Sequence, residues 1–129
     1  MIDFYLEPRS GVAPYMQLVH QVQQALRLGM LTTGDQLPTV KQVVAKIAIN
    51  PNTVLKAYRE LERQGLVAPK PGRGTFVTAT LAGEDLTAQA ALAGELAAWI
   101  TKARGAGLDD EAIEAVFTTT LRKAQQEQP

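Results

Sequence analysis

Asn52 and Thr53 are the side chains whose types and position best suit recognition chemistry. Asn50 is a favoured helix N-cap and Pro51 suits the first helical position, so both side chains are predicted on a first helical turn. A carboxamide can pair with the N6 and N7 edge of adenine, whereas threonine offers a hydroxyl to a phosphate or a methyl group to thymine. Lys56, one turn later, adds a cation for a base or a phosphate. We therefore expect contacts with a nucleic acid.

The run at residues 70–74 supplies a second set of groups suited to a polyanion. Gly72 and Gly74 let the backbone approach a groove wall closely, and Arg73 between them brings charge to a narrow minor groove. Lys70 can reach a phosphate. The same two glycines also fit a turn that needs them for its geometry alone, and that explanation is compatible with a position next to DNA.

Charge is distributed unevenly along the 129 residues, although the net charge is zero. Residues 1–78 carry nine Lys or Arg against five Asp or Glu, whereas residues 79–129 carry four against eight. Residues 41–73 hold seven cations and two acids, so binding is expected to weaken steeply with salt. Arg59 and Arg63 fit a DNA contact or a solvated face equally well, because they lie late in their helix. The residues expected to contact double-stranded DNA are Thr39, Lys41, Asn52, Thr53, Lys56, Arg59, Lys70, Gly72, Arg73 and Gly74.

Several other classes of function are excluded by composition. The chain has no cysteine and a single histidine, His20, so neither a disulfide framework nor a metal cluster is expected. It has no histidine or carboxylate cluster with catalytic spacing and no phosphate-cradling glycine loop that leads into a helix. We therefore expect no enzyme activity, no catalytic residue and no cofactor.

The chain is also predicted to be cytoplasmic and to have no membrane partner. No stretch of about 20 apolar residues occurs, and the N-terminus lacks the basic start and apolar core of a secretory signal. A chain of 129 residues can bury one modest core with a short extension.

Three helices are predicted from apolar spacing and from their capping residues. The first spans residues 14–31, and Gly29 marks its decay. The second follows Thr39, which forms a capping box with Gln42, and ends near Ala48. The third begins at Pro51 and ends where Gly65 supplies a C-terminal glycine cap. On the first helix, His20 falls with several glutamines on the face opposite the apolar stripe, so we expect this histidine to be solvated.

The remaining chain is predicted to form a hairpin and a helical tail. Strands at residues 66–69 and 75–78 flank the cationic turn, and a last helix begins with Asp109 as its cap. Two amphipathic tail helices leave an apolar stripe exposed, and a two-fold axis lets one patch cover itself. The expected homodimer interface consists of Leu92, Leu96, Trp99, Ile100, Ile113, Val116, Phe117 and Leu121. We thus expect a DNA-binding domain at residues 1–78 and a helical dimerisation tail at residues 79–129.

Three helices followed by a cationic hairpin form the layout of a winged helix-turn-helix domain, so the predicted class is mainly α with a small β-hairpin. Four segments in unbroken order resemble the GntR family of bacterial regulators over roughly residues 10–78. They are GDQLPT at 34–39, NPNTVLKAYRELE at 50–62, GLV at 65–67 and GRGTFV at 72–77. The NPNTV run and the short tail resemble the YtrA-type subfamily, which has a two-helix dimerisation extension.

This resemblance implies a homodimer that binds a pseudo-palindromic operator and represses transcription, often of its own operon and commonly of one that encodes an ABC transporter. It matches Asn52 and Thr53 to the polar pair that opens the recognition helix, and Gly72 to the wing-tip glycine. An arginine of many relatives corresponds to Lys41, which keeps the charge but loses the bidentate fork. Two further arginine positions of better-known relatives fall on Pro51 and Leu55. The operator sequence and any small-molecule effector are not indicated.

A winged helix can also serve as a protein or RNA interaction module without operator specificity, because a fold does not dictate function. Steep salt dependence together with preference for a two-fold DNA site favours the regulator. Binding that is unaffected by salt favours the interaction module.

Overall fold

The computed structural model describes residues 2–83 and 85–127 and forms two compact units, Met1–Leu86 and Thr87–Pro129. The elements in chain order are α1 (Pro14–Arg27), α2 (Val40–Ile47), α3 (Pro51–Arg63), β1 (Val67–Lys70), β2 (Gly74–Val77), α4 (Leu86–Gly105) and α5 (Asp110–Glu127). The predicted class, mainly α with a small antiparallel hairpin, is confirmed.

α2 and α3 begin where the sequence predicts, because side-chain caps fix both N-termini. The Thr39 hydroxyl accepts a hydrogen bond from Gln42 N at 3.1 Å, and the Gln42 side chain accepts one from Thr39 N at 2.9 Å. At α3, the Asn50 side chain accepts a hydrogen bond from Asn52 N at 2.8 Å, and Pro51 occupies the first turn. Only residues 48–50 separate the two helices, which is the short connection of a helix-turn-helix.

α1 ends at Arg27, so the prediction that this helix continues to residue 31 is wrong. Gly29 adopts a φ of 72°, and the backbone N–H groups beyond it bond back to the last helical turn, which is the pattern of a Schellman cap. The chain then turns inward, and Leu31 is buried in the core. α3 ends in the same way at Gly65, whose φ is 76°, as the sequence predicts.

The core of the first unit is built from one face of each helix together with the hairpin. The fully buried large side chains are Leu18, Val19, Val22, Leu26, Leu37, Val54, Leu61 and Val77. Tyr58 of α3 is also buried, and its hydroxyl donates a hydrogen bond to the carbonyl oxygen of Pro38 at 2.6 Å. Burial raises the pKa of the Tyr58 phenol well above its usual range. This bond ties α3 to the residue that precedes the cap of α2.

The hairpin is anchored to the helices by the segment before α2. β1 and β2 pair antiparallel from Val67 opposite Val77 to Lys70 opposite Gly74. On the other side of β2, Gln36 forms a bridge with Phe76. Backbone hydrogen bonds at 2.8–2.9 Å connect residues 34–37 with β2. A two-stranded hairpin is marginal alone, so this added edge holds it in place.

An N-terminal arm, residues 2–12, contacts the glutamine side chains on the outer face of α1. Gln17 on this face is buried, and its carboxamide accepts from Glu7 N at 2.8 Å and donates to the carbonyl oxygen of Val12 at 2.9 Å. Gln21 binds the backbone of the arm in the same manner. The prediction that His20 is solvated is confirmed, because His20 is exposed although Gln17 beside it is buried.

In the second unit, α4 occupies only the later part of the alanine-rich stretch at residues 78–106 and ends at Gly105. The cap predicted for α5 is confirmed, because the Asp109 carboxylate accepts a hydrogen bond from Ala112 N at 2.8 Å. Ala103 and Ile113 are the buried side chains of these two helices. Most of the apolar stripe therefore stays exposed within one chain.

Replacing Tyr58 by Phe is expected to lower the free energy of unfolding by about 1–2 kcal/mol, because the buried carbonyl of Pro38 loses its donor. Urea unfolding measures this change. Tyr5→Phe is the matched control, because Tyr5 is 53% exposed. Equal losses in the two variants would contradict the assigned role of the Tyr58 hydroxyl.

Candidate nucleic-acid interface

The start of α3 presents polar side chains to solvent because the opposite face of the helix is packed in the core. Val54, Ala57 and Leu61 have no exposed surface. At 100° per residue, Asn52 and Lys56 fall on the other side of the helix, where both are exposed. Arg59 lies on this side too, whereas Thr53 is half-buried at its edge. The structure thus brings the predicted residues of α3 onto one accessible surface, with Thr53 the least accessible.

Lys56 extends toward α1, where its Nζ atom lies 4.0 Å from the centroid of the Tyr15 ring. This distance is within the range of a cation–π interaction. The sequence analysis missed the pair, because spacing along one helix does not reveal a contact between two helices. Lys56 nevertheless remains exposed beside the start of α3.

Arg63 differs from the other cations of α3 because it is neutralised within the chain. Its Nε atom donates to Glu60 Oε2 at 2.8 Å, and Gln64 donates to the same carboxylate at 3.0 Å. The hydrogen bond from Arg63 lowers the pKa of the Glu60 carboxyl to about 2, and in turn the pKa of the Arg63 guanidinium is raised. The sequence leaves open whether Arg63 contacts DNA or belongs to a solvated face. Its pairing with Glu60 favours the solvated face.

At the start of α2, Thr39 and Lys41 differ in what they can offer to a ligand. The Thr39 hydroxyl already accepts the capping bond from Gln42 N, although the side chain is exposed and its O–H can still donate. Lys41 is exposed on the first turn of the helix. Thr39 thus has a structural role whatever else it contacts, and Lys41 is available.

The tip of the hairpin is a tight turn with a structural need for both glycines. Arg73 N donates to the carbonyl oxygen of Lys70 at 2.9 Å, with Pro71 and then Gly72 at the central positions and a Gly72 φ of 73°, which fits a type II turn. Gly74 has a φ of 125°, and a Cβ atom there would lie 2.5 Å from the side-chain nitrogen of Gln36. That nitrogen donates to the carbonyl oxygen of Arg73 at 2.9 Å, so Gln36 braces the tip.

The side chains of Lys70 and Arg73 in this turn are exposed, whereas Gly74 is half-buried. Lys70 extends over the Phe76 ring, with its Nζ atom 4.6 Å from the ring centroid. Gly72 lies in open space and can approach a ligand, but Gly74 faces Gln36. Gly72 and Arg73 are thus the better-placed residues of the turn for a groove contact.

A shallow hollow of about 300 Å³ connects the helices with the hairpin. Its lining combines the start of α2, the exposed side of α3 and the base of the turn, through Thr39, Leu55, Arg59 and Gly74 among others. Residues that are far apart in the sequence therefore share one surface. Within residues 2–83 and 85–127, no group of three or more His, Asp or Glu residues is arranged to hold a metal ion.

Comparison with known proteins identifies this arrangement. The model of the bacterial regulatory proteins of the gntR family matches residues 14–77. A transcriptional regulator from Oenococcus oeni is 31% identical, with a TM-score of 0.50, over 92% of this chain and 99% of that one. The chain belongs to the GntR family. The family predicted from the sequence motifs is thereby confirmed.

Among curated GntR-type relatives, the HTH-type transcriptional repressor YtrA of Bacillus subtilis is 41% identical over 73 residues. The match covers 57% of this chain and 56% of YtrA, so the chain spans about half the length of the curated relatives it matches. This similarity agrees with the predicted YtrA-type subfamily. These relatives are transcriptional regulators rather than enzymes, in agreement with the prediction that the chain is not an enzyme.

A structurally similar DNA-binding domain has been solved in complex with an operator. The DNA-binding domain of AraR in complex with an operator is 25% identical, with a TM-score of 0.52, over 58% of this chain and 93% of that one.

Gly74→Ala is expected to lower the free energy of unfolding by roughly 2–3 kcal/mol, because it combines an unfavourable φ with displacement of the Gln36 carboxamide. Gly72→Ala is the matched control. It needs only a left-handed conformation in open space and is expected to lose about 1 kcal/mol. Urea denaturation compares the two variants, and a smaller loss for Gly74→Ala than for Gly72→Ala would contradict the bracing role of Gln36.

Proposed function

We propose that this GntR-family protein is a sequence-specific transcriptional regulator that binds a pseudo-palindromic operator as a homodimer. One observation carries the proposal. Arg59 of α3 lines one surface hollow together with Thr39 before α2 and Gly74 at the base of the braced hairpin tip. Asn52 and Lys56 are exposed on the same helix. A major groove admits one helix, and a hairpin reaches the neighbouring groove or backbone. The operator complex of AraR supports the same use of the fold.

In this proposal, residues 1–78 form the DNA-binding domain. The residues that contact DNA are Thr39, Lys41, Asn52, Thr53, Lys56, Arg59, Lys70, Gly72, Arg73 and Gly74. Asn52 reads a base edge, and Thr53 contacts a phosphate or a thymine methyl group. Positive charge comes from Lys41, Lys56, Arg59 and Lys70. Arg73, which is flanked by Gly72 and Gly74, enters the minor groove. Thr39 contributes through its remaining hydroxyl donor.

Residues 79–129 form the dimerisation tail in this proposal. Leu92, Val116, Phe117 and Leu121 are 41–62% exposed in one chain, and Leu96 is 40% exposed. Trp99 and Ile100 are half-buried. Ile113 is buried within its own unit, so it supports the interface from beneath. A second copy would cover this apolar surface through a two-fold axis.

The regulator is proposed to act as a repressor of its own or an adjacent operon, with an ABC-transporter operon as the first candidate. YtrA, to which the chain is similar, is named a repressor. We further propose a cytoplasmic location, where DNA is accessible. Within the described residues, no helix combines the length and hydropathy needed to cross a bilayer.

Selection of bound fragments from the source genome tests the proposed function. The full chain is incubated with sheared genomic DNA, and recovered fragments are titrated by fluorescence anisotropy at several salt concentrations. A shared two-fold motif and a steep fall of affinity with salt are expected. Recovery of unrelated sequences, or affinity that does not change with salt, would contradict an operator-binding regulator and favour an interaction module.

Asn52→Ala and Lys56→Ala are expected to have different effects on binding. Loss of Asn52 removes about 1–3 kcal/mol of discrimination at one base step per half-site, because the carboxamide reads a base edge. Loss of Lys56 weakens binding to all sequences and lowers the salt slope by about one for each chain. Titrations with selected and random DNA measure both effects. Equal losses on both DNAs for Asn52→Ala would contradict its base-reading role.

Phe117→Glu is expected to yield monomers with much poorer operator affinity, because a charge in the apolar stripe opposes burial. Ala115→Glu is the matched control, since Ala115 is exposed and lies on the opposite side of α5. Sedimentation velocity measures the oligomeric state. A dimer that persists in Phe117→Glu would exclude this residue from the interface.

A further inference from the structure

We infer that Tyr15 is a positioning residue for DNA binding, because its ring holds the ammonium group of Lys56 at the exposed side of α3. The inference rests on the proposed function, since it assigns a role in the same interface. Lys56 Nζ lies 4.0 Å from the ring centroid. Tyr15 is half-buried at the start of α1 and packs against the core, whereas Lys56 is exposed. A fixed ring on one helix thus orients a flexible side chain on another.

The ring orients Lys56 without neutralising it. The carboxylate best placed by helix spacing to pair with Lys56 is Glu60, four residues later. That carboxylate accepts hydrogen bonds from Arg63 at 2.8 Å and from Gln64 at 3.0 Å instead. Within the part of the chain that the structure describes, Lys56 forms no ion pair. An aromatic face attracts a cation through its quadrupole and leaves the full charge for a phosphate.

Orientation before binding reduces the entropy that the side chain loses when DNA arrives. Lysine has several rotatable bonds, so an exposed lysine without a partner must be ordered at the moment of contact. The hairpin repeats this arrangement, because Lys70 extends over Phe76 with its Nζ atom 4.6 Å from the ring centroid. Both the helix and the hairpin thus present a lysine that rests on an aromatic ring.

A double-mutant cycle on the full chain tests the role of Tyr15. Tyr15→Leu is expected to weaken binding to a selected operator fragment about two- to five-fold, the range of an exposed cation–π contact. Tyr15→Phe keeps the ring and is expected to restore most of the affinity. In a Lys56→Ala background, Tyr15→Leu is expected to cause no further loss. The same fold-loss in both backgrounds would overturn the inference.

An NMR measurement without DNA checks the contact itself. In the free wild-type protein, the ε-methylene protons of Lys56 are expected to resonate upfield of those of exposed Lys41, because they lie over the Tyr15 ring. Equal shifts would overturn the inference even if the protein binds DNA. A wild-type chain that shows the shifted Lys56 signal but binds no DNA would refute the proposed function and, with it, a positioning role.

Discussion

The interface depends on the complete burial of one face of α3. Val54, Ala57 and Leu61 have no exposed surface, and Tyr58 adds a buried hydrogen bond to the segment before α2. A helix with a single apolar face has one stable orientation against its core, so the side chains on its other face must point into solvent. The exposure of Asn52 and Lys56 is therefore a consequence of packing and does not need a ligand to maintain it.

The hairpin is fixed by backbone pairing with residues 34–37, which links it to the same core. Its two strands are too short to be stable alone, and the bridge between Gln36 and Phe76 adds a third edge. The Gln36 side chain also binds the carbonyl oxygen of Arg73 at the tip. Because residues 34–37 lead directly into α2, the helix-turn-helix and the tip are held by one short piece of chain. The proposed reading of two grooves by one small unit requires such a fixed relation.

Much of this could be predicted from the sequence, because caps and apolar spacing are local signals. Thr39, Asn50 and Gly65 mark helix boundaries that the structure confirms. Contacts between distant segments leave no such signal. The burial of Gln17 under the N-terminal arm and the ring contact of Lys56 depend on tertiary packing, so neither follows from the period of α1 or α3. α1 ends at Arg27 rather than at residue 31, because Gly29 stops the helix although Met30 and Leu31 beyond it are apolar.

Footprinting with hydroxyl radicals on a genomic fragment bound by the full chain tests the central claim most directly. Two recognition helices held by a dimer should protect two patches related by a two-fold axis on one face of the duplex. The patches are expected to lie about 10 base pairs apart, or a multiple of that, which is one helical turn. A single patch, or two patches without two-fold symmetry, would contradict binding by a symmetric pair of chains.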